Sequence, residues 1–366
     1  MTNDFLTEGE AEGLVEQYMA KEQRPFTTQD VIHSGIFPQL RGFKVRPGKV
    51  SDCIFGGGYS FGHSTYENPP LVTKDGTPLR IMVRTDRIST HDINRGEIPF
   101  KDQILAQNHH VMRRLTQDVL GTSQFDVPGL ADTSVVIAAE NLKTIPIEMV
   151  LRAYMAKSTT STTLYQAWLR KDLNFCGHFV DNRWIPNGRL PYVMDTPSTK
   201  SDEHDQSVAP EFLFKNGLSI HDYQQIRNAA LVAFGVVSRF VQEKGLILVD
   251  TKTEHGVNRN DEIVAQDELY TLDSSRFWLV DDYARQLEQL ARGNIPELNP
   301  ASYSKEFARS FSQGKEKYTD DQRRAIAVRY ILGIQHLTGE PFRPDMRSRE
   351  ERVVSGLQTI VEQLIA

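Results

Sequence analysis

Between Gly245 and Gly256, three charged residues recur at every second position: Asp250, Lys252 and Glu254. The acidic pair Asp267-Glu268 follows shortly after. Leu246-Ile247-Leu248-Val249 reads as an apolar strand running into them. Side chains alternate across a strand, so the three charges point the same way. Asn258-Arg259-Asn260-Asp261 reads as a turn. With the hairpin centred between Asn260 and Asp261, Glu254 falls directly opposite Asp267, on one face, at a Cβ separation of about 4.5–5.5 Å. Facing carboxylates repel, and a divalent cation removes that cost. Mg²⁺ held by one or two carboxylates plus phosphate oxygens is a usual design at nucleotide sites. Lys252 beside them can neutralise phosphate or carboxylate charge. A solvated hairpin face of mixed charge accounts for the same spacing, and spacing alone does not separate the two readings.

Weaker signals lie elsewhere. Asp273-Ser274-Ser275-Arg276 sets two hydroxyls before a guanidinium, a combination that can hold an anion, although Asp-Ser-Ser is also a plain turn. Thr196-Pro197-Ser198-Thr199-Lys200 and Glu203-His204-Asp205 are polar loop segments. The chain contains neither a Walker A pattern nor Gly-x-Gly-x-x-Gly, and Gly56-Gly57-Gly58 by itself signals only a flexible loop.

The elements that must position these residues follow from periodicity. Residues 1 to about 40 read as a helical extension, with Leu14, Val15, Tyr18 and Met19 at helical spacing. A β-rich region follows. In it the strand Arg80-Ile81-Met82-Val83-Arg84 runs into the polar Thr85-Asp86-Arg87-Ile88-Ser89, and polar groups crowding a strand end are a frequent site arrangement. Residues 102–120 read as a helix stopped by Gly121, and Val135–Ala139 and Pro146–Arg152 as strands. Residues 222–244 form an amphipathic helix capped at Gly245. Thr319-Asp320-Asp321-Gln322 has capping-box spacing, and a last helix carries Val353, Leu357, Ile360, Val361 and Leu364. The chain crosses between lobes near Lys143–Pro146.

Composition bounds the function class. The 366 residues are 39% hydrophobic and 25% charged, values of a soluble globular protein. A net charge of -6 without a long basic block argues against nucleic-acid binding, and no stretch approaches a membrane span. Cys53 and Cys176 form neither a metal spacing nor a disulfide framework. The acidic N-terminus is no signal peptide, and together these features lead us to expect the cytoplasm.

Taken in order, the segments resemble the SAICAR synthetase family. The matching pieces are Gly48-Lys49-Val50, Thr85-Asp86-Arg87-Ile88-Ser89, Pro146-Ile147-Glu148 with Arg152, Thr196–Lys200, His204-Asp205, Asp250–Glu254, Asp267-Glu268 with Asp273–Trp278, and Tyr330-Ile331 through Leu337–Phe342. The resemblance implies a two-lobed α+β fold. The extension at 1–40 would precede a small β-rich nucleotide-binding lobe at 41–145. A larger α/β lobe at 146–366 would carry the substrate and metal sites and the C-terminal helices. It implies ATP and Mg²⁺, with Lys49, Glu148, Lys200, Glu254 and Asp267 at ATP and Glu254 and Asp267 on the metal. Asp86, Arg87, Ser89, Arg152, Ser158, Asp205, Ser275 and Arg276 would contact substrate, and Asp250 and Lys252 would line the reaction centre. The implied reaction joins L-aspartate to a phosphoribosyl-aminoimidazole carboxylate through an acyl phosphate, giving SAICAR, ADP and phosphate in de novo purine biosynthesis. The implied partners are these small molecules, and a homo-oligomer is left open.

The sequence departs from the family pattern at several points. Ser51 stands where a second basic residue is expected, Phe100 lies in an expected glycine-rich turn, Lys157 replaces a glycine before Ser158, and Gln206 replaces an acid. The interval from Lys200 to Asp205 is also one residue short. Two other readings use the same residues. One is a different ATP-dependent carboxylate–amine ligase on this scaffold, and the other is a nucleotide-binding protein without catalysis.

Overall fold

The computed structural model describes residues 4–21, 26–61, 64–91, 93–200, 205–312, 314 and 316–365. Its contacts divide the chain into two units, one of residues 1–111, 123–142 and 307–366, the other of residues 112–122 and 143–306.

The first unit is built on a four-stranded antiparallel sheet. Its order is Arg46–Pro47, Ser51–Phe55, Leu79–Arg84 and Val136–Glu140. Alternation puts Ile54, Ile81 and Ala138 into one buried cluster, while Met82, Ile137 and Ala139 form another. The first cluster is completed by Val31 and Ile32 from the helix Thr28–His33 and by Val353, Leu357, Ile360 and Val361 from the helix Arg349–Leu364. Contact is close there: a Cβ added at Gly356 would lie 2.8 Å from the Val136 side chain. The helix Glu8–Ala20, opened by a Thr7/Glu10 capping box, packs on Asp320–Thr338. That second helix starts with the expected Thr319/Gln322 box and ends at Gly339, φ 77°.

This division differs from the expected lobes. Residues 307–366 belong with the first unit, and the N-terminal helices contribute to its core rather than standing apart. The cause is hydrophobic. The apolar stripe of the last helix needs a sheet face to cover it, and the face around Val136 supplies one.

The second unit is built on a seven-stranded antiparallel sheet. The path runs Arg189–Asp195, Lys143–Tyr154, Leu246–Val257, Ser275–Leu279, Ser302–Tyr303, with Ser198–Thr199 on the second strand and Ile263–Gln266 on the third. The helix Ile220–Gln242, close to the expected 222–244, lays Ile226, Ala230, Ala233, Phe234, Val237 and Val241 into the core. It packs against Leu246–Val257, the strand that carries Asp250, Lys252 and Glu254. The helix Lys101–Thr116 ends a turn before Gly121, where the Thr116 hydroxyl donates to the Met112 carbonyl at 2.9 Å.

Candidate active site

Two neighbouring strands bring the charges of the second unit together. In the register of Leu246–Val257 against Lys143–Tyr154, Asp250 lies opposite Arg152 and Glu254 opposite Glu148. Lys252, two residues from each of the first strand's acids, fills the space between the facing carboxylates. Its Nζ donates to Glu148 Oε1 at 2.6 Å and lies 3.6 Å from Glu254 Oε1. Lys200 closes a second ion pair on Glu254 Oε2. Burial alone would lower the pKa of Lys252, but Glu148, Glu254 and Asp267 outweigh it and hold the ammonium well above its ordinary value.

The other end of the row is a guanidinium pair around one acid. Arg276 Nε donates to Asp250 Oδ1 at 2.9 Å, and Arg276 Nη2 binds Oδ2. Arg152 Nη1 reaches Oδ2 at 3.3 Å, while its Nε donates to Thr196 Oγ1 at 3.0 Å. Burial lowers the pKa of Arg152, and the neighbouring Arg276 lowers it further against the pull of Asp250. Arg276 Nη1 also donates to the Lys157 carbonyl at 2.9 Å, which fixes the backbone just before Ser158. Ser158 is buried, its hydroxyl accepting from Thr160 N at 3.2 Å.

The hairpin differs from its expected register. Glu254 pairs with Gln266, not Asp267. The reason is the turn. Asn258 N donates to the Glu262 carbonyl at 2.9 Å, the Asn258 side chain accepts from Asn260 N and Glu262 N, and Asp261 takes φ 61°. Such a loop has an odd number of residues and ends in a left-handed one, so each pair shifts by one from a two-residue turn. Asp267 sits just past the strand end with φ 68°, and its charge still acts on Lys252.

Ser275 and Asp250 also differ from expectation. The Ser275 hydroxyl is on the opposite side of its strand from Arg276, bonded to Thr251 Oγ1 at 2.8 Å and buried. It cannot share a ligand with Arg276 because strand side chains alternate. Both oxygens of Asp250 are occupied by arginine, the geometry of a residue that orients guanidiniums. Asp205 lies beside the strand Ser198–Thr199, where Thr199 Oγ1 accepts from Gln206 N at 3.1 Å. His204 lies outside the described residues.

In the first unit, the turn carrying Lys49 is tightly specified. Gly48 N donates to the Ser51 carbonyl at 2.8 Å, and a Cβ on Gly48 would sit 2.4 Å from that oxygen. Ser51 therefore closes the turn through its backbone. Lys49 itself is exposed. Arg87 Nη2 donates to the Gly48 carbonyl at 2.8 Å and to Asp52 Oδ1 at 2.5 Å, while Thr28 Oγ1 donates to Asp52 Oδ2 at 2.7 Å. Ser89 is buried in the hairpin Arg87–Thr90/Ile93–Glu97, opposite Asn94. Asp86 is only 2% exposed. Tyr18 Oη donates to one of its oxygens at 3.1 Å and Asp102 N to the other at 3.0 Å. Asp86 thus has no surface to offer a substrate, in contrast to its expected role. Burial, with Asp102 alongside, raises its pKa. Gly56, Gly57 and Gly58 line a cavity of about 430 Å³ with Asn68, and a Cβ on Gly57 would collide with the Asn68 carbonyl at 2.0 Å.

Sequence reasoning missed Asp52, Thr196 and Asp102 as partners of site residues. Their signal is weak, since short polar residues at strand ends and helix starts are common everywhere.

The donor set fits a hard divalent cation. Glu254 and Asp267 offer carboxylate oxygen, and both act on the Lys252 ammonium. Among the described residues no group of three or more His, Cys, Asp or Glu side chains forms a cage by itself. Mg²⁺ does not need one, because phosphate oxygens and water complete its shell.

An α+β scaffold that aligns acids, ammonium groups and guanidiniums along adjacent strands defines a protein for handling phosphate and carboxylate charge. A family model described as SAICAR synthetase matches residues 72–325, more than half of the sequence. A phosphoribosylaminoimidazole-succinocarboxamide synthase of Cytophaga hutchinsonii is 34% identical over 291 residues, 76% of this chain and 88% of that protein. The chloroplastic enzyme of that name from Arabidopsis thaliana is 31% identical over 305 residues, 79% of this chain and 71% of that one. A SAICAR synthase structure from Saccharomyces cerevisiae, complexed with SAICAR, shares the fold with a TM-score of 0.64 at 22% identity, covering 82% of this chain and 97% of that chain. A type-2 SAICAR synthetase in complex with ADP aligns with a TM-score of 0.57 at 21% identity over 82% of this chain and all of that one. The chain belongs to the SAICAR synthetase family.

Proposed function

We infer that this protein is an ATP-dependent carbon–nitrogen ligase that joins L-aspartate to the phosphoribosyl-aminoimidazole carboxylate, forming SAICAR. The observation that carries the reading is the row Glu148–Lys252–Glu254 on two central strands, continued by Asp250 with Arg152 and Arg276, in a chain of this family.

A carboxylate is a poor electrophile because its oxygen leaves badly. Transfer of the ATP γ-phosphoryl to that oxygen gives an acyl phosphate and ADP. The aspartate amine then attacks the carbonyl carbon, phosphate departs with the former carboxylate oxygen, and the amine loses a proton as the amide forms. The protein positions the reactants and neutralises charge, and no covalent nucleophile is needed. Glu254 and Asp267 would hold Mg²⁺, which supplies charge neutralisation on the phosphates when bound. Lys49 and Lys200 contact ATP phosphates, with Glu148 orienting Lys252 toward the transferring group. Arg152 and Arg276, held in a fork by Asp250, take the ribotide phosphate beside Ser158. Arg87 keeps the Lys49 turn in place, and Ser89 and Asp205 belong to the substrate end. Asp86 and Ser275 act by positioning.

The test is an omission series. The purified protein is incubated with ATP, Mg²⁺, aspartate and the imidazole ribotide, and ADP and amide product are followed together. The reading expects one ADP per product and no product when any component is left out. Tight Mg-ATP binding without product would instead favour another acceptor acid or a non-catalytic role.

A further inference from the structure

Three buried polar side chains of the first unit have no part in the reaction above, yet they converge on a segment that does. Tyr18 comes from the helix Glu8–Ala20, Arg352 from the helix Arg349–Leu364 and Asp102 from the start of Lys101–Thr116. Arg352 Nη2 donates to Asp102 Oδ2 at 2.8 Å, with the two side chains 4% and 1% exposed. Arg352 Nη1 donates to the Arg347 carbonyl at 2.7 Å. Asp102 N and Tyr18 Oη occupy the two oxygens of Asp86. Asp86 and Asp102 are two buried acids whose charges oppose each other, and Arg352 offsets that cost at Asp102. Arg349, paired with Glu97 at 2.7 Å, adds a second positive charge.

Phe100 reports how firmly this corner is held. It takes φ 63°, a left-handed conformation that a bulky residue disfavours. Its ring lies 4.3 Å from that of Tyr18 and 5.8 Å from that of Phe342. Packing by the terminal segments thus holds a conformation that the residue itself disfavours.

Asp86 sits between this corner and the Lys49 turn. On one flank, Thr85 N and Thr85 Oγ1 both donate to the Val50 carbonyl, at 2.9 and 3.0 Å. On the other, Arg87 holds the Gly48 carbonyl and Asp52. Residues 85 and 87 therefore grip the turn from both sides of Lys49, while residue 86 is anchored by Tyr18 and by the helix that Arg352 secures.

We propose that Tyr18 and Arg352 are positioning residues for the Lys49 turn, so that the two chain termini set ATP affinity from a distance. Both lie outside the matched residues 72–325. The inference rests on the assignment of Lys49 to ATP phosphates, and the experiment separates the two.

Tyr18→Phe, Arg352→Met, Arg352→Lys and Lys49→Ala are compared with the parent in the full chain. KM for ATP, aspartate and ribotide, kcat and Tm are measured for each. Loss of one buried hydrogen bond is worth about 0.5–1.5 kcal/mol, or a two- to tenfold change. Tyr18→Phe is expected to raise KM for ATP by about fivefold, leaving kcat and KM for aspartate within about twofold. Arg352→Met should do the same, and Arg352→Lys should recover part of the loss. A lower Tm with KM for ATP unchanged, or an equal rise in all three KM values, would overturn the proposal. If Tyr18→Phe does not fold, Arg352→Lys decides it by the same split. If Lys49→Ala leaves KM for ATP unchanged, the assignment of Lys49 fails. If only the Lys49 variant shifts it, the assignment stands and the positioning role falls.

Discussion

Lys252 is where the charge of the second unit converges, since three carboxylates raise its pKa. A methionine there keeps the stem and removes the charge. Electrostatic groups of this kind are worth about 10²–10³ in kcat, and Lys252→Met should lose about that much, with Tm falling as well because Glu148 and Glu254 are left facing each other without their ammonium. Turnover near the parent value would remove Lys252 from the reaction centre. Glu254→Gln should instead raise the Mg²⁺ concentration needed for half-maximal rate, read from a metal titration at saturating ATP. On the opposite face of the same strand, His255 is 1% exposed and neither ring nitrogen has a partner. Burial lowers its pKa to about 4 from an ordinary 6.5. The folded state then binds fewer protons than the unfolded one between those values, so stability is full above about pH 6.5 and is lost as pH falls toward 4. His255→Leu should flatten that decline, measured as denaturant midpoints at pH 5 and pH 7.5. An unchanged slope would show that other groups cause it.

At the scale of elements, what the sequence made legible depended on how local the determinant was. The helix Ile220–Gln242 was readable because one stripe of seven buried residues sets both its type and its face. The alternation of Asp250, Lys252 and Glu254 was readable because strand period is fixed. The register beyond it was not, since a single left-handed residue, Asp261, shifts every pair. Arg352 carried a signal that was overlooked. It falls four residues before Gly356 and eight before Ile360, so a charge sits on an apolar stripe and must find a buried partner. The Lys49 turn gives a prediction at this scale. Gly48→Ala places a Cβ within 2.4 Å of the Ser51 carbonyl, so the turn must open. KM for ATP should rise about tenfold with ribotide KM unaffected, a loss of roughly 1.4 kcal/mol in binding. Equal effects on both substrates would argue that the turn serves the general fold.

For the whole molecule, the α+β class and the family followed from ordered motifs, while the grouping of segments did not. Which sheet face a terminal helix covers is a long-range choice, and nothing within residues 349–364 encodes it. Removing that helix should be severe. Val353, Leu357, Ile360 and Val361 are all buried, and each contributes about 1.5–3 kcal/mol. Together they rival the roughly 5–15 kcal/mol that keeps a domain folded. A chain ending before Ser348 should lose its cooperative thermal transition, and retention of a parent-like Tm would contradict the core described here. No helix among the described residues is long and apolar enough to cross a membrane. Isotope transfer reads directly whether the ribotide carboxylate is activated as an acyl phosphate. The imidazole ribotide is supplied with ¹⁸O in its carboxylate, together with ATP, Mg²⁺ and aspartate, and the inorganic phosphate is analysed by mass. Activation through an acyl phosphate predicts one ¹⁸O in each phosphate released as SAICAR forms. SAICAR accompanied by unlabelled phosphate would contradict the account.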